Sequence, residues 1–245
     1  MDMYENIAEM AGELKLPATA AEIALLAKES KADKASVEFA GKVFNLIITN
    51  KTTRNIETLQ KFSRIPVHKT LDDFNFAYQP SIDEKRIRNL ATLGFIHNKE
   101  NVIFIGDPGT GKSHLSIALA ELCINAGLKA YYLTMRELVD KINVAIKEGT
   151  TAKFMKVMSK PSLLVIDEVG YQKLTQEQTE LFFAVVSKRY EQGSMILTSN
   201  FPLSQWGNIF SSIAMAKVIV DRLAHHASII KISGSSYRIK DRILQ

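Results

Sequence analysis

Twelve residues carry the clearest chemistry in this chain: Val102-Ile-Phe-Ile-Gly106-Asp107-Pro108-Gly109-Thr110-Gly111-Lys112-Ser113. An apolar run enters a glycine-rich turn and leaves through a lysine, a hydroxyl residue and an amphipathic segment. This is the strand–loop–helix pattern of a phosphate-binding loop. Glycines let successive backbone N–H groups close around an anion, and the positive end of the following helix favours negative charge there. Gly106 to Ser113, with His114 as the next residue, therefore form the candidate nucleotide-binding set. Lys112 is placed to meet the β- and γ-phosphates, and the Ser113 hydroxyl to hold Mg²⁺. The His114 side chain itself reads as packing.

A second constellation lies at Leu163-Leu-Val-Ile-Asp167-Glu168. In α/β folds, ligands collect at the carboxyl ends of parallel strands. A carboxylate at such an end therefore falls beside the phosphate loop. Asp167 is expected to hold Mg²⁺ through water. Glu168 is the candidate base that polarises a water for in-line attack on the γ-phosphate. The bland alternative is a helix N-terminus or a solvated turn.

Leu197-Thr198-Ser199-Asn200 ends another apolar run, and Asn200 there can hydrogen-bond the attacking water or the γ-phosphate. Arg222 has two readings. It pairs with Asp221 or a neighbouring surface, or it is an arginine finger that reaches a nucleotide held by an adjacent subunit. Arg238 is a second candidate for that finger. His225 and His226 are adjacent, so helical geometry points them to different faces. They read as partly exposed structural residues rather than metal ligands.

The elements around these residues follow from periodicity. Ser113–Ala126 predicts a helix ended by Gly127, and Lys129–Leu133 a strand. Thr134-Met-Arg-Glu137 is a capping box that opens a helix closed by Gly149. A short amphipathic turn through Phe154, Val157 and Met158 ends at Pro161, and Leu163–Ile166 is an apolar strand. Thr175-Gln-Glu-Gln178 is a second capping box, for a helix stopped by Gly193. Met195–Leu197 and Ser228–Ile232 predict strands, with a helix over 213–226 between them and Tyr237-Arg-Ile-Lys following. Strands apolar on both faces and alternating with helices imply a parallel sheet covered on both sides. Upstream, Arg86–Phe95 predicts a helix. Leu71–Pro80 alternates apolar and polar residues, which predicts extended chain whose aromatics pack on the core or lie near an adenine ring. Cys123, spaced with Leu115, Leu119 and Leu122, belongs to a buried helix face.

The 245 residues suffice for a large and a small domain, and 46% hydrophobic content supports a real core rather than disorder. Residues 1 to about 66 predict a separate helical unit. Ala20–Leu26 follows Pro17, and Val37, Ala40, Phe44, Ile47 and Ile48 recur at helical spacing. Ile56, Leu59 and Phe62 resume that spacing after Thr49-Asn-Lys-Thr-Thr53, a weak helix former where a break is expected. Arg64-Ile-Pro66 ends the unit. Net charge is +5, and residues 41–70 hold six basic side chains against one acidic. That local excess suggests a polyanion partner contacted by Lys51, Arg54, Lys61 and Arg64, or a solvated helix face. No apolar run approaches the roughly 20 residues of a membrane span. The acidic first residues do not resemble a signal peptide, and the single cysteine fits a reducing cytoplasm.

Taken together, Gly106–Ser113, Leu163–Glu168, Thr198–Asn200 and Asp221-Arg-Leu223 resemble an AAA+ ATPase of the IstB/DnaC branch. Thr70–Phe76, Gly170-Tyr171, Arg189–Ser194, Ser204-Gln-Trp206-Gly207 and Gly234–Arg238 bring the resemblance closer to IstB-like helpers of insertion sequences than to replicative helicase loaders. It covers Lys69–Arg238 well and residues 1–66 in outline. It implies an α/β P-loop NTPase of the AAA+ (ASCE) type, with about five parallel strands in the order 5-1-4-3-2. A small helical domain (1–68), joining neighbours and DNA, precedes the ATPase domain (69–245), and no helical lid domain follows the sheet. The resemblance further implies ATP and Mg²⁺ as cofactors and an ATPase stimulated by DNA and assembly. It implies a homo-oligomer with ATP between subunits on duplex DNA, and an IstA-like transposase as partner. The alternatives are a loader for a replicative helicase and a nucleotide-gated scaffold with little hydrolysis. In one departure, Ser211-Ser212 stands where a Gly-Asp-Pro type of turn is expected.

Overall fold

The structure is a computed structural model and describes residues 2–16 and 18–239. Pro17, expected to lead into the second helix, and Lys240, at the end of the Tyr237–Lys240 stretch, lie outside the described residues. By packing, the chain divides into Met1–Thr58 and Leu59–Gln245. The division falls inside a helix rather than at residue 68.

The first unit contains helices α1 (Met3–Glu13) and α2 (Ala20–Glu29) and most of α3 (Lys34–Ser63). A capping box opens α2: Thr19 Oγ1 accepts from Glu22 N, and the Glu22 side chain accepts from Thr19 N. Ile7, Met10 and Val37 form its small core, with Ala40, Phe44 and Ile48 packed against them. Ile47, which shares the predicted spacing, is exposed. No break occurs at Thr49–Thr53, and α3 runs through it. A few residues of weak propensity cost a few tenths of a kcal/mol each, less than the cost of nucleating a second helix. Arg64, at φ 59°, ends α3 where expected. Leu59 is buried, and Phe62 packs on the core of the second unit, 5.4 Å between ring centroids from Tyr131. That packing moves the division upstream.

The second unit is a five-stranded, all-parallel sheet covered by helices. Its strands are β1 (Asn101–Gly106), β2 (Ala130–Thr134), β3 (Leu163–Val169), β4 (Ser194–Ser199) and β5 (Ala227–Ile232), in spatial order β2-β3-β4-β1-β5. Read from the other edge this is 5-1-4-3-2, the expected order. Strands β1 and β4 and most of β3 are buried on both faces, which is why they read as apolar runs rather than alternations. The helices are α4 (Glu84–Ala91), α5 (Gly94–His97), α6 (Lys112–Asn125), α7 (Met135–Lys147), α8 (Thr151–Ser159), α9 (Gln176–Arg189) and α10 (Ile213–His225). Both expected capping boxes form, at Thr134/Glu137 for α7 and Thr175/Gln178 for α9. Ser212 Oγ caps α10 by accepting from Met215 N, so the Ser-Ser departure supplies its own helix start. Cys123 is fully buried on α6, and burial pushes its thiol up to about 12.

Two expectations fail locally. Arg86–Phe95 is not one helix: Leu93 takes a left-handed conformation at φ 63°, and the chain restarts as α5. Leu93, Phe95 and Ile96 are all buried by that turn, which offsets a left-handed cost of roughly 1–2 kcal/mol. Leu71–Pro80 is not extended either. Asp73 Oδ2 accepts from Thr70 N and Oγ1, and Asn75 Oδ1 caps a short 3₁₀ turn at Phe76–Tyr78 by accepting from Tyr78 N. Short Asp and Asn side chains offer the backbone this alternative to a strand. Among the described residues no helix is long and apolar enough to cross a membrane.

Candidate nucleotide site

The loop after β1 sits at the carboxyl edge of the sheet and opens into a cavity of about 350 Å³. Its glycines are required by close approach as well as by φ. Gly109 has φ 80°, and a side chain there would meet Ser236 Oγ; Gly111 has φ 97° and faces the Phe74 ring. Lys112 opens α6 and is nearly buried, with its ammonium folded onto its own loop. Nζ donates to the Gly106 and Asp107 carbonyls at 2.8 Å each. Burial holds its pKa below the usual lysine value, while Asp167 and Asp107 pull the other way.

Asp167 lies just beneath the cavity floor, 4% exposed. Ser113 Oγ donates to its Oδ1 at 3.0 Å, Thr198 Oγ1 makes a short bond to the same oxygen, and Tyr132 OH donates to Oδ2 at 2.5 Å. The β3–β4 register is irregular between Ile166 and Val169, and Glu168 takes φ 63°. Such a bulge re-aims side chains at a strand end. Here it buries Asp167 and leaves Glu168 exposed on the cavity wall. Thr198 ties the two acids together, since its hydroxyl also accepts from Glu168 N at 3.0 Å. Asn200 lines the cavity too, with its amide donating in a short bond to the Tyr171 hydroxyl. A Ser113 hydroxyl beside a carboxylate is the all-oxygen donor set that suits Mg²⁺.

The cavity gathers further residues, among them an aromatic of the Leu71–Pro80 stretch that was expected on the core or near an adenine ring. Phe74 and His114 line it in a T-shaped pair, ring centroids 5.2 Å apart, and His114 Nε2 donates to the Thr70 carbonyl at 2.7 Å. His114 thus packs, as expected, and also pins the Thr70–Phe76 turn to the loop helix. From the other side, Tyr237 N donates to the Gly109 carbonyl, and Tyr78 OH and Gln79 Nε2 donate to the Ser236 and Ser235 carbonyls. Two segments some 150 residues apart in sequence therefore wrap the loop together. Gly234–Arg238 was marked in the sequence by the IstB-like pattern, and Tyr78 and Gln79 only by the alternating Leu71–Pro80 stretch.

The arginines separate. Arg238 lines the cavity of its own chain, close enough to Lys112 to oppose its charge. Arg222 lies outside that cavity. It packs over the Phe183 ring at 4.9 Å and near Tyr190 at 6.0 Å, and makes a short bond to Ser187 Oγ. These contacts on α9 and its end match the neighbouring-surface reading of Arg222, and none of them is the Asp221 pair. His225 and His226 do not point apart: their ring centroids are 4.0 Å from each other. Helix α10 ends at His225, and His226 at φ −119°, ψ 61° leaves helical geometry, so the helical rule no longer separates them. With Glu191 they form an exposed group of donor atoms within 4.8 Å of one another. Lys51, Arg54, Lys61 and Arg64 are all exposed along and just past the second half of α3. They lie outside the cavity lining.

A parallel sheet with this strand order, a glycine loop, a buried aspartate and an adjacent strand-tip polar residue define a P-loop nucleotide-binding protein of the AAA+ type. The model of the IstB-like ATP-binding protein family matches residues 9–245, and the chain belongs to that family. It is 41% identical, over 99% of its length and 97% of the relative's, to a Geobacillus stearothermophilus protein named as an ATP-binding protein of insertion sequence IS5376. It is 39% identical to one named for insertion sequence IS21 of Pseudomonas aeruginosa, over 77% of this chain and 71% of the relative. Among solved structures, that of DnaI superposes with a TM-score of 0.59 at 19% identity, covering 69% of this chain and 95% of that one. DnaA bound to AMPPCP and single-stranded DNA superposes with a TM-score of 0.55 at 20% identity, over 71% and 54%. These two share the fold.

Proposed function

We propose that this protein is a DNA-dependent ATPase that assembles on duplex DNA and regulates a partner transposase. The observation that carries the hydrolytic part is the convergence of four elements on one cavity. Lys112 and Ser113 come from the start of α6, Glu168 from β3 with Asp167 just beneath it, Thr198 from β4, and Asn200 from the stretch just beyond β4. Phosphate oxygens of ATP replace the Gly106 and Asp107 carbonyls as acceptors for the Lys112 ammonium. Ser113 and Asp167 would hold Mg²⁺, which when bound would supply positive charge to neutralise that developing on the phosphates. Glu168, exposed to the cavity, takes the proton of the attacking water. Asn200 exchanges its Tyr171 bond for one to that water or to the γ-phosphate. Arg238 adds positive charge from the same chain.

Arg222 lies away from its own cavity and serves the site of a neighbour in a homo-oligomer, once released from Ser187. Exposed Lys51, Arg54, Lys61 and Arg64 contact the DNA backbone. The names of the insertion-sequence relatives support the transposase assignment over the helicase loader. Phosphate release, measured with and without duplex DNA, tests the proposal: DNA-stimulated turnover is expected. ATP binding without release in either condition would leave the scaffold alternative standing. Co-purification with an insertion-sequence transposase, rather than with a replicative helicase, separates the two partners.

A further inference from the structure

Tyr132 belongs to no nucleotide-binding segment of the sequence, and it does not line the cavity. It sits on β2, an edge strand that pairs only with β3. The register places Tyr132 opposite Val165 and Thr134 opposite Asp167. With a side-chain period of two, Tyr132 and Asp167 share one face of the sheet. The phenol is 6% exposed, and its hydroxyl donates to Asp167 Oδ2 at 2.5 Å.

The two oxygens of Asp167 are thereby divided. Oδ1 takes the Ser113 and Thr198 hydroxyls, and Oδ2 takes Tyr132. A carboxylate held at both oxygens cannot rotate about its last bond without losing a buried hydrogen bond. Its Oδ1 edge is thus fixed toward Ser113, whose hydroxyl donates its one proton and keeps its lone pairs for a cation. The chain continues through Thr198, which also accepts from the backbone N–H of Glu168 where φ is 63°. Tyr132 thus bonds Asp167 directly and is linked to Glu168 only through Asp167 and Thr198.

We infer that Tyr132 is a positioning residue for this site: by holding Asp167 Oδ2 it sets how tightly the site takes Mg²⁺ and, through Thr198, the placement of Glu168. This rests on the proposal that Ser113 and Asp167 hold the cation. Partners that orient a ligating carboxylate typically change metal affinity by about 10–100-fold when removed.

Tyr132→Phe is the test, because it keeps the ring and deletes one oxygen. Calorimetry of ADP binding in EDTA, then across a Mg²⁺ titration, gives the metal-free affinity and the Mg²⁺ half-saturation separately. The expected result is a metal-free affinity within about twofold of the parent and a half-saturation raised about tenfold. A thermal melt of the same variant reports any general weakening of the fold, which would lower Tm and both affinities together. Asp167→Asn serves as the reference. If it abolishes the Mg²⁺ dependence while Tyr132→Phe retains the parental half-saturation, the inference about Tyr132 is overturned and the cation assignment stands. If Asp167→Asn itself leaves the Mg²⁺ dependence intact, the cation assignment fails and takes the inference with it. Thr198→Val removes the other support: it should slow phosphate release beyond its effect on Mg²⁺ half-saturation, and equal effects would deny the link to Glu168.

Discussion

The two ends of the central sheet both bury charge, and they do so to opposite purpose. At the amino ends of β3 and β4, Arg189 is 2% exposed. Its guanidinium donates to the carbonyls of Met158, Pro161, Ser162 and Ser194 at 2.7–3.3 Å. Burial lowers its pKa to about 10. At the carboxyl ends, Lys112 and Asp167 are also buried, but beside a cavity, and their partners are two loop carbonyls and three hydroxyls. A buried ion needs partners wherever it sits. When the chain supplies them as backbone carbonyls from several elements, the ion pins strands and loops together. When some of those partners can be exchanged for a ligand's oxygens, the same requirement becomes a binding site. Burial by itself therefore separates nothing; what matters is whether the partners are replaceable.

Substitutions at the two ends should give complementary signatures. The largest effect is expected from Glu168→Gln, which keeps the shape and removes the base. Phosphate release should fall by about 10²–10⁴-fold with ATP affinity retained and assemblies on DNA lengthened. Normal turnover in that variant would remove Glu168 from the chemistry. Arg189→Met comes next and probes the other end. Four carbonyls lose a donor, although that of Ser162 keeps Ser194 N, and stability measured by denaturant unfolding should drop by roughly 3–5 kcal/mol, while the folded fraction binds ATP as the parent does. If ATP affinity fell instead, with stability unchanged, the contrast between the two ends would be wrong.

Lys112→Ala is the mirror experiment. ATP affinity should fall at least about 100-fold, about 2.7 kcal/mol, with little loss of stability because the Gly106 and Asp107 carbonyls remain near the open cavity. The smallest effect belongs to charges that are not buried at all. Replacing Lys51 or Arg54 singly by Ala should flatten the log–log salt dependence of DNA binding by about one unit each and leave ATP affinity and Tm unmoved. An unchanged salt slope would make that stretch a solvated helix face.

What could be read directly from sequence was what depends on near neighbours in the chain. The glycine loop, both capping boxes and the polar strand tips at Asp167, Glu168 and Asn200 are each set within a few residues, and the apolar strands announce themselves by composition. The strand order came through resemblance and is correct. Local reasoning failed where packing overrode propensity, as in the unbroken α3 across Thr49–Thr53 and the left-handed Leu93. It also failed where Asp and Asn side chains folded Thr70–Tyr78 into turns. Arg189 was visible only as a member of a family motif, because its acceptors lie up to 31 residues away.

The sequence by itself thus determined that a phosphate-binding loop, a strand-borne acid pair and a polar strand tip exist here, since each is a short-range pattern whose geometry is dictated by backbone chemistry. Only the tertiary structure decided which partners those groups keep. It turned Tyr132 toward Asp167 and wrapped Ser235 and Ser236 over the loop with Tyr78 and Gln79. It also set Arg238 in its own cavity and Arg222 outside it. Those pairings join residues 35 to 158 positions apart, and parallel strands in the order 5-1-4-3-2 bring such residues together only after the whole sheet has formed.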